Sequence, residues 1–428
     1  MARRVLFKTG TSNLSTNPLP GYKFVGYQGT DFSEKDENGL ITPIGGSGSS
    51  TINLPVSVDG NTTEPIVSAY IISTSGDFID STTENIISTL DCWSLDLTGI
   101  TFSALKSISG EVLINESDLL QSIDMPLLEY GNLFLIENNP SLTSINLPIF
   151  KSANSFELSN CDSMTSLDLS SIESSRIFVN GCASITSVNL SSLVKSKQII
   201  INNNPLISSI NLNSLSLVGQ LTISSPSLTS LQLPLLTKAN SVGIGSSPLI
   251  NTIDLSSLQS GSIQIQGTII TSLNLNSLVS STGLQISNNS LLSSLQIDSL
   301  TTVETISIGN NSSLTSIDLG SITSVLVNTT LNISSNTSLT SIGATTSTAV
   351  VGLFSQPWTT SLVFYFNDNN FSQTEVDNIL VAADTSGLTS SIIYVDNYSF
   401  IGTNATPSGT GNAAKTSLEG KGWTVYVA

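Results

Sequence analysis

The sequence predicts a mainly β protein wound as a parallel β-solenoid of about eleven coils of about 22 residues, with an extended N-terminal anchor and a small α+β C-terminal cap. Three observations predict it. One phrase recurs at near-constant spacing. The phrase and a segment ahead of it alternate apolar with polar residues. A small polar residue returns at a fixed place before each phrase.

The phrase reads LQSIDMPLL from Leu120, LTSINLPIF from Leu142, MTSLDLSSI from Met164 and ITSVNLSSL from Ile185. It continues as ISSINLNSL from Ile207, LTSLQLPLL from Leu228, INTIDLSSL from Ile250 and ITSLNLNSL from Ile270. LSSLQIDSL from Leu292, LTSIDLGSI from Leu314 and a truncated LTSIG from Leu339 close the series, and a divergent CWSLDLTGI opens it at Cys92. Counted between central apolar residues from Ile123 to Ile342, the steps are 22, 22, 21, 22, 21, 22, 20, 22, 22 and 25 residues. Most units carry a second strand-like segment ahead of the phrase, such as LFLIENN at Leu133, QIIINNN at Gln198 and TISIGNN at Thr305. Both segments have a period of two, the signature of a strand, and a repeat this short holding two strands leaves no room for a useful helix. Leu, Ile and Val then share the face that successive coils bury.

Two polar ladders accompany the apolar one. Three residues before the first apolar residue of each phrase stand Ser117, Asn139, Cys161, Cys182, Asn204, Ser225, Ser247, Gly267, Asn289, Asn311 and Asn336. Small polar residues stacked coil on coil can bond the backbone of the next turn. Cys161 and Cys182 are consecutive rungs and should be neighbours, either as a disulfide or redox pair or as buried thiols filling asparagine positions. The second ladder follows each central apolar residue and faces outward: Asp124, Asn146, Asp168, Asn189, Asn211, Gln232, Asp254, Asn274, Gln296 and Asp318. It is the candidate binding face. It could hold calcium or a sugar, but calcium needs several oxygens converging on one point, and single acids interspersed with amides on a flat face also fit a solvated surface whose amides bond each other.

Composition narrows the function. Charged residues are 10% of the chain, Lys and Arg number 13, net charge is −18 and there is no histidine. A nucleic-acid partner needs a basic face, which is missing. Without histidine, the commonest general base and zinc ligand are gone. The three cysteines, Cys92, Cys161 and Cys182, form no CxxC pair. No cofactor, metal or catalytic residue is expected. In MARRVLFKTGTSN only three apolar residues stand between the two arginines and Lys8, too few for the roughly 7–15 of a signal core, so no signal peptide is expected. No stretch approaches the roughly 18 apolar residues of a membrane span. Aromatic residues are scattered, with Tyr130 and Phe134 the nearest pair within the repeats, so Trp93 and Trp358 lack the recurring aromatic neighbours of a sugar site.

The L-x-S-[IL]-[DN]-L phrases, with Asn or Cys in the preceding turn, resemble leucine-rich repeat proteins. The resemblance is to the short all-β variety of receptor L domains and of bacterial and phage surface proteins, and it covers roughly 250 residues. It implies a fold and leaves the ligand open. Four segments follow: 1–50, an anchor and Gly/Ser linker ending in GGSGSS; 51–90, a β-rich lead-in or N-terminal cap; 91–350, the solenoid; and 351–428, the cap. In the cap, Ser372 and Glu375 form a capping box opening a helix to about Ala383; Pro407 and Ser408 begin a second helix that Gly420 and Gly422 end; Trp423 to Val427 is a final strand. The pattern N-A-x-P-S-x-x-G…L-x-x-K-G-W-T-V from Asn404 resembles the end of many phage and bacterial leucine-rich repeat proteins. L-P-G-Y…G-Y-x-G…S-E-K…G near the N-terminus resembles attachment segments of phage fibre and virion proteins.

These resemblances imply a bacteriophage virion structural protein: a tail or head fibre, or a capsid decoration protein, made in the host cytoplasm. Its N-terminal segment would dock on other virion proteins, and its solenoid would adhere to a host-surface glycan or protein. Homo-oligomers, trimers among them, are expected; nucleic acid and membrane insertion are not. The alternative is a bacterial cell-surface leucine-rich-repeat adhesin. A third class, a depolymerase, would need paired carboxylates such as Asp77 with Asp80 or Asp368 with Asp377 in a cleft. No hydrolase, P-loop or metal motif accompanies them, and the chain is read as no enzyme.

Overall fold

Alternation of apolar and polar residues decides the backbone, and the parallel pairing of like segments decides the stack. The computed structural model describes residues 76–86, 89–93, 97–325, 330–343, 362–386, 388–399 and 401–428, with the backbone of the strands at 4–7, 22–28, 31–35, 41–43, 66–67 and 70–71. The GGSGSS linker, Trp358 and the boundary at 350/351 lie outside the described residues. The chain divides into two compact units, Met1–Leu193 and Val194–Ala428, so the division falls inside the repeat series.

In the first unit, the segment read as an extended anchor contains a four-stranded sheet. Arg4–Phe7 runs parallel to Tyr22–Gln28, which pairs antiparallel with Asp31–Lys35, and that strand with Ile41–Pro43. The coils follow, each with a long leg and a short leg. Tyr70–Ile71, Leu90–Trp93, Glu111–Asn115, Leu133–Glu137, Ser152–Ser159 and Ser174–Asn180 pair in parallel as the long legs. Gly76–Asp80, Leu97–Phe102, Ser122–Asp124 and Ser144–Asn146 pair as short legs, as do Ser166–Asp168 and Ser187–Asn189. Coil pairing therefore begins inside the 51–90 lead-in. In-register stacking makes like residues meet: Ile100 pairs with Ile123 and Ile123 with Ile145. Phe134 stacks on Phe156 at 5.8 Å and meets Phe150 edge-on at 5.0 Å.

Two tight corners close a coil. At the first, the ladder residue's carbonyl accepts the amide three positions on, as in Leu142 N–H to Asn139 O at 3.1 Å; at the second, Phe150 N–H reaches Leu147 O at 3.3 Å. Before the first corner the chain must turn left-handed: Asn138 has φ 56°, Asn160 51° and Gly181 68°. Asparagine and glycine tolerate this conformation best, which explains the Asn-Asn and Asn-Gly-Cys signatures.

The buried ladder holds the coils together. Asn139 Oδ1 accepts Ser117 N–H at 3.0 Å, while its Nδ2 donates to Ile114 O at 2.7 Å and Glu137 O at 3.0 Å. In the second unit Asn289 N–H donates to Asn311 Oδ1 (3.1 Å), Asn311 N–H to Asn336 Oδ1 (3.0 Å) and Asn336 N–H to Asn369 Oδ1 (3.0 Å). Each amide satisfies a buried N–H and carbonyls that the corner leaves outside the strand ladder. One rung corrects the sequence reading. Gly267 supplies the left-handed turn (φ 67°) and Thr268 is the rung, its N–H and Oγ1 both donating to Asn289 Oδ1 at 3.0 and 2.7 Å. The 20-residue repeat removes one residue on the far side of the rung, which shifts the count by one.

The second unit carries long legs from Lys195–Asn202 through Leu217–Ser224, Lys238–Ile244, Ser260–Gln266, Leu284–Ser287 and Ile306–Gly309 to Thr330–Ser334. Its parallel sheet continues into the cap through Val363–Tyr365, Ile392–Val395 and Thr424–Val427. Helix α1 (Gln373–Thr385) and helix α2 (Gly409–Gly420) lie between these strands, where shorter coils have their short leg. The cap is thus further coils with helical returns. The buried ladder runs on with it: Asn369 donates to Ile333 O at 2.7 Å, and Asn404 Nδ2 to Phe366 O at 2.9 Å. Each unit is mainly β, a leucine-rich-repeat-like parallel solenoid, with helices in the cap.

Candidate binding faces

The outward ladder sits where the sequence places it, after each central apolar residue, half-buried or exposed. In the first unit Asp124 pairs with Asn146 and Asp168 with Asn189 across adjacent short strands. Asn146 Nδ2 donates to Asp124 Oδ1 at 2.7 Å, and Asn189 Nδ2 to Asp168 Oδ1 at 3.1 Å. In the second unit Gln232 pairs with Asp254 and Asn274 with Gln296. Most of the short members also cap the following turn, accepting the amide two residues on. Asp168 takes Ser170 N–H (2.9 Å), Asn189 Ser191 N–H (3.3 Å) and Asn211 Asn213 N–H (3.3 Å). Asp254 takes Ser256 N–H (3.0 Å), Asn274 Asn276 N–H (3.0 Å) and Asp318 Gly320 N–H (2.8 Å). These are Asx turns. One oxygen of each of these residues is therefore engaged locally; Asp168, Asn274 and Asp318 are exposed, and Asn189, Asn211 and Asp254 half-buried. Among the described residues no group of three or more His, Cys, Asp or Glu converges to hold a metal ion.

Cys92, Cys161 and Cys182 are buried thiols in no disulfide. Cys161 Sγ lies 3.4 Å from Ser159 O, and Cys182 Sγ lies 3.7 Å from Asn180 O, so each takes the asparagine's place as a weak rung. A hydrogen bond to Cys182, and then burial, pushes the Cys161 thiol up; burial, and then the Asp91 charge, does the same to Cys92.

The candidate acid pairs have structural roles. Asp80 accepts Thr82 N–H at 2.8 Å, Thr83 N–H at 3.0 Å and Thr83 Oγ1 at 2.7 Å, while Asp77 accepts Thr98 Oγ1 at 2.6 Å. Three residues apart on one strand, they point to opposite faces. Asp368 is fully buried and accepts Ser399 N–H at 2.9 Å; Asp377 on α1 accepts Ser408 N–H at 2.9 Å, holding the start of α2.

The structure also gathers aromatics that look scattered in the sequence. Tyr365 pairs with Tyr394 and Tyr394 with Tyr426 on the outer face of the cap strands. Their rings stack at 4.9 Å with 4° between planes, then at 4.6 Å with 2°. Beneath them Phe364 stacks on Trp423 at 6.0 Å, whose Nε1–H donates to Leu388 O at 3.0 Å. With Tyr398, the cap holds half of the chain's eight tyrosines. Beside the ladder Asp396, Asn397, Tyr398, Val427 and Ala428 line an open depression of about 710 Å³. Burial, and then the Asp368 charge, pushes the Asp396 carboxyl up, and its Oδ1 is enclosed with no hydrogen-bond partner. Burial and the neighbouring Tyr426, Tyr365, Asp396 and Tyr398 push the Tyr394 hydroxyl up. The signal that could have found the ladder is the Tyr-x-Asn/Asp pattern of FYFND and IYVDN; the helices between the cap strands hide its spacing.

No family model matches the chain and no curated protein matches it. Among solved structures it is similar to a leucine-rich repeat protein from Bacteroides ovatus, at 14% identity and a TM-score of 0.32, over 84% of this chain and 92% of that one. It is also similar to the functional domain of InlJ from Listeria monocytogenes, which includes a cysteine ladder, at 16% identity and a TM-score of 0.23, over 71% of this chain and 72% of that one.

Proposed function

We propose that the chain is a non-catalytic display protein whose repeats hold a hydroxyl- and amide-rich surface against a host-surface glycan or protein. The observation that carries this reading is the outward ladder, in which coils repeat one exposed or half-buried polar position with one oxygen held by a turn. Such a row is pre-ordered, so binding it costs little side-chain entropy. In its specific form the protein is a phage virion structural protein, as a tail or head fibre or a capsid decoration protein, and it acts as a homo-oligomer. The small sheet at Arg4–Pro43, paired within itself, supports a docking role for the N-terminal segment on other virion proteins. The second reading is a bacterial cell-surface adhesin, favoured by the same display surface and needing no particle. Electron microscopy with an antibody against residues 100 to 340, applied to phage particles and to bacterial envelopes from the source, separates them. Label on fibres or capsid supports the virion form, label on envelopes alone supports the adhesin, and label on neither overturns display.

A further inference from the structure

Deepening the display reading, on which it rests, we infer that one edge of the second unit binds an anionic glycan through Lys195, Lys197 and Lys238. The edge is where three successive coils enter their long legs. Lys195, Leu217 and Lys238 are the first residues of those legs and pair in register. Two strand spacings, about 10 Å, therefore separate the backbones of Lys195 and Lys238. Lys197 stands two residues along the first leg, with buried Ser196 between, so it leaves the same face as Lys195. All three lysines are exposed, and none makes an ion pair among the described residues, whereas Lys415 and Lys421 of the same unit are paired. Close backbone packing keeps the ground beside them bare. Gly219 lies opposite Lys197 on the next coil, and a Cβ there would stand 2.2 Å from Lys197 O. Two coils on, a Cβ at Gly261 would stand 2.6 Å from Ala239 O. Neither place admits a side chain, and between them lies only the exposed Asn240.

The make-up of the edge selects the ligand. Of the chain's 31 acids only Asp254 falls between Val194 and Ile297, and it sits on a short leg, so this stretch is positive within a chain of net charge −18. Screening over about 10 Å at 0.1 M ionic strength weakens the repulsion from acids further off. The same stretch has no aromatic residue and no arginine. Nucleic acid therefore finds no ring on which to stack a base and no guanidinium fork for its phosphates. Lysine is a point charge, which a sugar carboxylate or a sugar phosphodiester satisfies alike. Leu217, 45% exposed between Lys195 and Lys238, suits the apolar face of a sugar ring. Hydroxyls have the Asn240 amide and Gln220, whose Oε1 accepts Gln198 Nε2–H at 2.7 Å and keeps a second lone pair.

Calorimetric titration of the full chain at low salt tests the edge with two anionic glycans, oligogalacturonate for carboxylates and poly(ribosylribitol phosphate) for phosphodiesters. Maltohexaose serves as the neutral sugar and oligothymidylate as the anion that is no glycan. The expected result is saturable binding of at least one anionic glycan, with Kd about 0.01–1 mM, and none of maltohexaose. Log Kd should rise with log salt at about one unit of slope per lysine engaged. Lys195→Gln, Lys197→Gln and Lys238→Gln should each weaken binding several-fold and lower that slope, and the triple variant should lose binding. Lys415→Gln makes the same charge change on α2 and should leave affinity unchanged. No saturable signal with either anionic glycan up to about 10 mM overturns the site. So does wild-type affinity in the triple variant, an equal loss in Lys415→Gln, or oligothymidylate bound as tightly through the same lysines. Exposed lysine side chains are replaced at little cost to the fold, so the variants remain informative. Attachment of wild-type and triple-variant protein to host cells separates the edge from the display reading. Equal attachment sinks the edge as the adhesive site and leaves display standing; lysine-dependent glycan binding without attachment sinks display and leaves the edge.

Discussion

At the scale of single residues, two asparagine rows that read alike in the sequence have opposite energetic weight. Asn311 is fully buried; its N–H and Nδ2 donate to Asn336 Oδ1 and Ile286 O, and its Oδ1 accepts Asn289 N–H. Asn311→Ala strands a buried N–H and a buried carbonyl at once and should cost about 2–4 kcal/mol, seen as a lower urea midpoint. Asn146 is exposed, and its bond to Asp124 competes with water, so Asn146→Ala should stay within about 0.5 kcal/mol. Equal losses in both variants would show that burial does not separate the rows. Cysteine makes the same point chemically. Cys92, Cys161 and Cys182 are buried, and Cys92 and Cys161 are held protonated by their surroundings. The thiolate is the reactive form; the hydrogen bond from Cys161 pulls the Cys182 thiol down, so for Cys182 it is burial that withholds reaction, and maleimide should label none of the three in native protein and all three in concentrated urea. Native labelling of Cys161 or Cys182 would place those rungs at the surface. Adjacency of the two was legible from period alone. The rung at Thr268 was not, because a one-residue deletion moves the turn residue Gly267 into the counted position.

At the scale of elements, the cap shows what local signals carry and where they stop. Ser372 caps α1 as the sequence predicts, its Oγ accepting Glu375 N–H at 3.2 Å. The Glu375 side chain has a longer reach than a capping box gives it. Its Oε1 accepts Ile342 N–H at 2.8 Å and Ser341 Oγ at 3.1 Å, tying α1 to the last phrase of the repeats. Ser372→Ala should cost about 1 kcal/mol, the ordinary loss of an N-cap. Glu375→Ala, which orphans a buried amide and deletes a charged acceptor, should cost about 2–3 kcal/mol. Thermal unfolding of the two variants checks the order, and a larger loss for Ser372→Ala would refute the tie. Helix positions were readable because Ser, Pro and Gly mark helix ends by backbone chemistry alone. That the cap strands continue the repeat sheet was not readable, since inserting α1 and α2 lengthens the coil and breaks the period. The lead-in hid its coils for a different reason: Gly76–Asp80 pairs in parallel with Leu97–Phe102 although GDFID has lost the L-x-S phrase. Parallel pairing needs only alternation and register.

At the scale of the whole molecule, repeat identity made the fold legible while ligand identity stayed out of reach. The outward ladder was placed correctly from spacing, but its Asx turns depend on backbone geometry two residues downstream, and the tyrosine ladder depends on strands separated by helices. Charge is the property that sequence and structure report together, and it leads to a test of the whole chain. Ion pairs among the described residues join Lys106 to Glu84 at 2.9 Å, Lys151 to Glu129 at 2.6 Å and Lys421 to Asp384 at 2.8 Å, with Lys415 and Glu419 at 3.8 Å. These pairs are partly exposed, and such pairs contribute about 0–1 kcal/mol each, most of which salt removes. Against them stands a net charge of −18, with 31 acidic residues to 13 basic ones, whose mutual repulsion acts on the compact state and is screened over about 10 Å at 0.1 M ionic strength. The excess charge outweighs the few pairs. Raising sodium chloride from about 0.02 to 0.5 M should therefore raise the melting temperature by several degrees, since the Debye length then shortens to a few ångströms. Calcium at matched ionic strength should do no more than sodium, because the carboxylates of the outward ladder are held singly in their turns. A melting temperature that falls with salt would mean the ion pairs dominate. A rise specific to calcium and reversed by EDTA would mean that acids converge on a site, and the ladder would then have to be read as a cation surface.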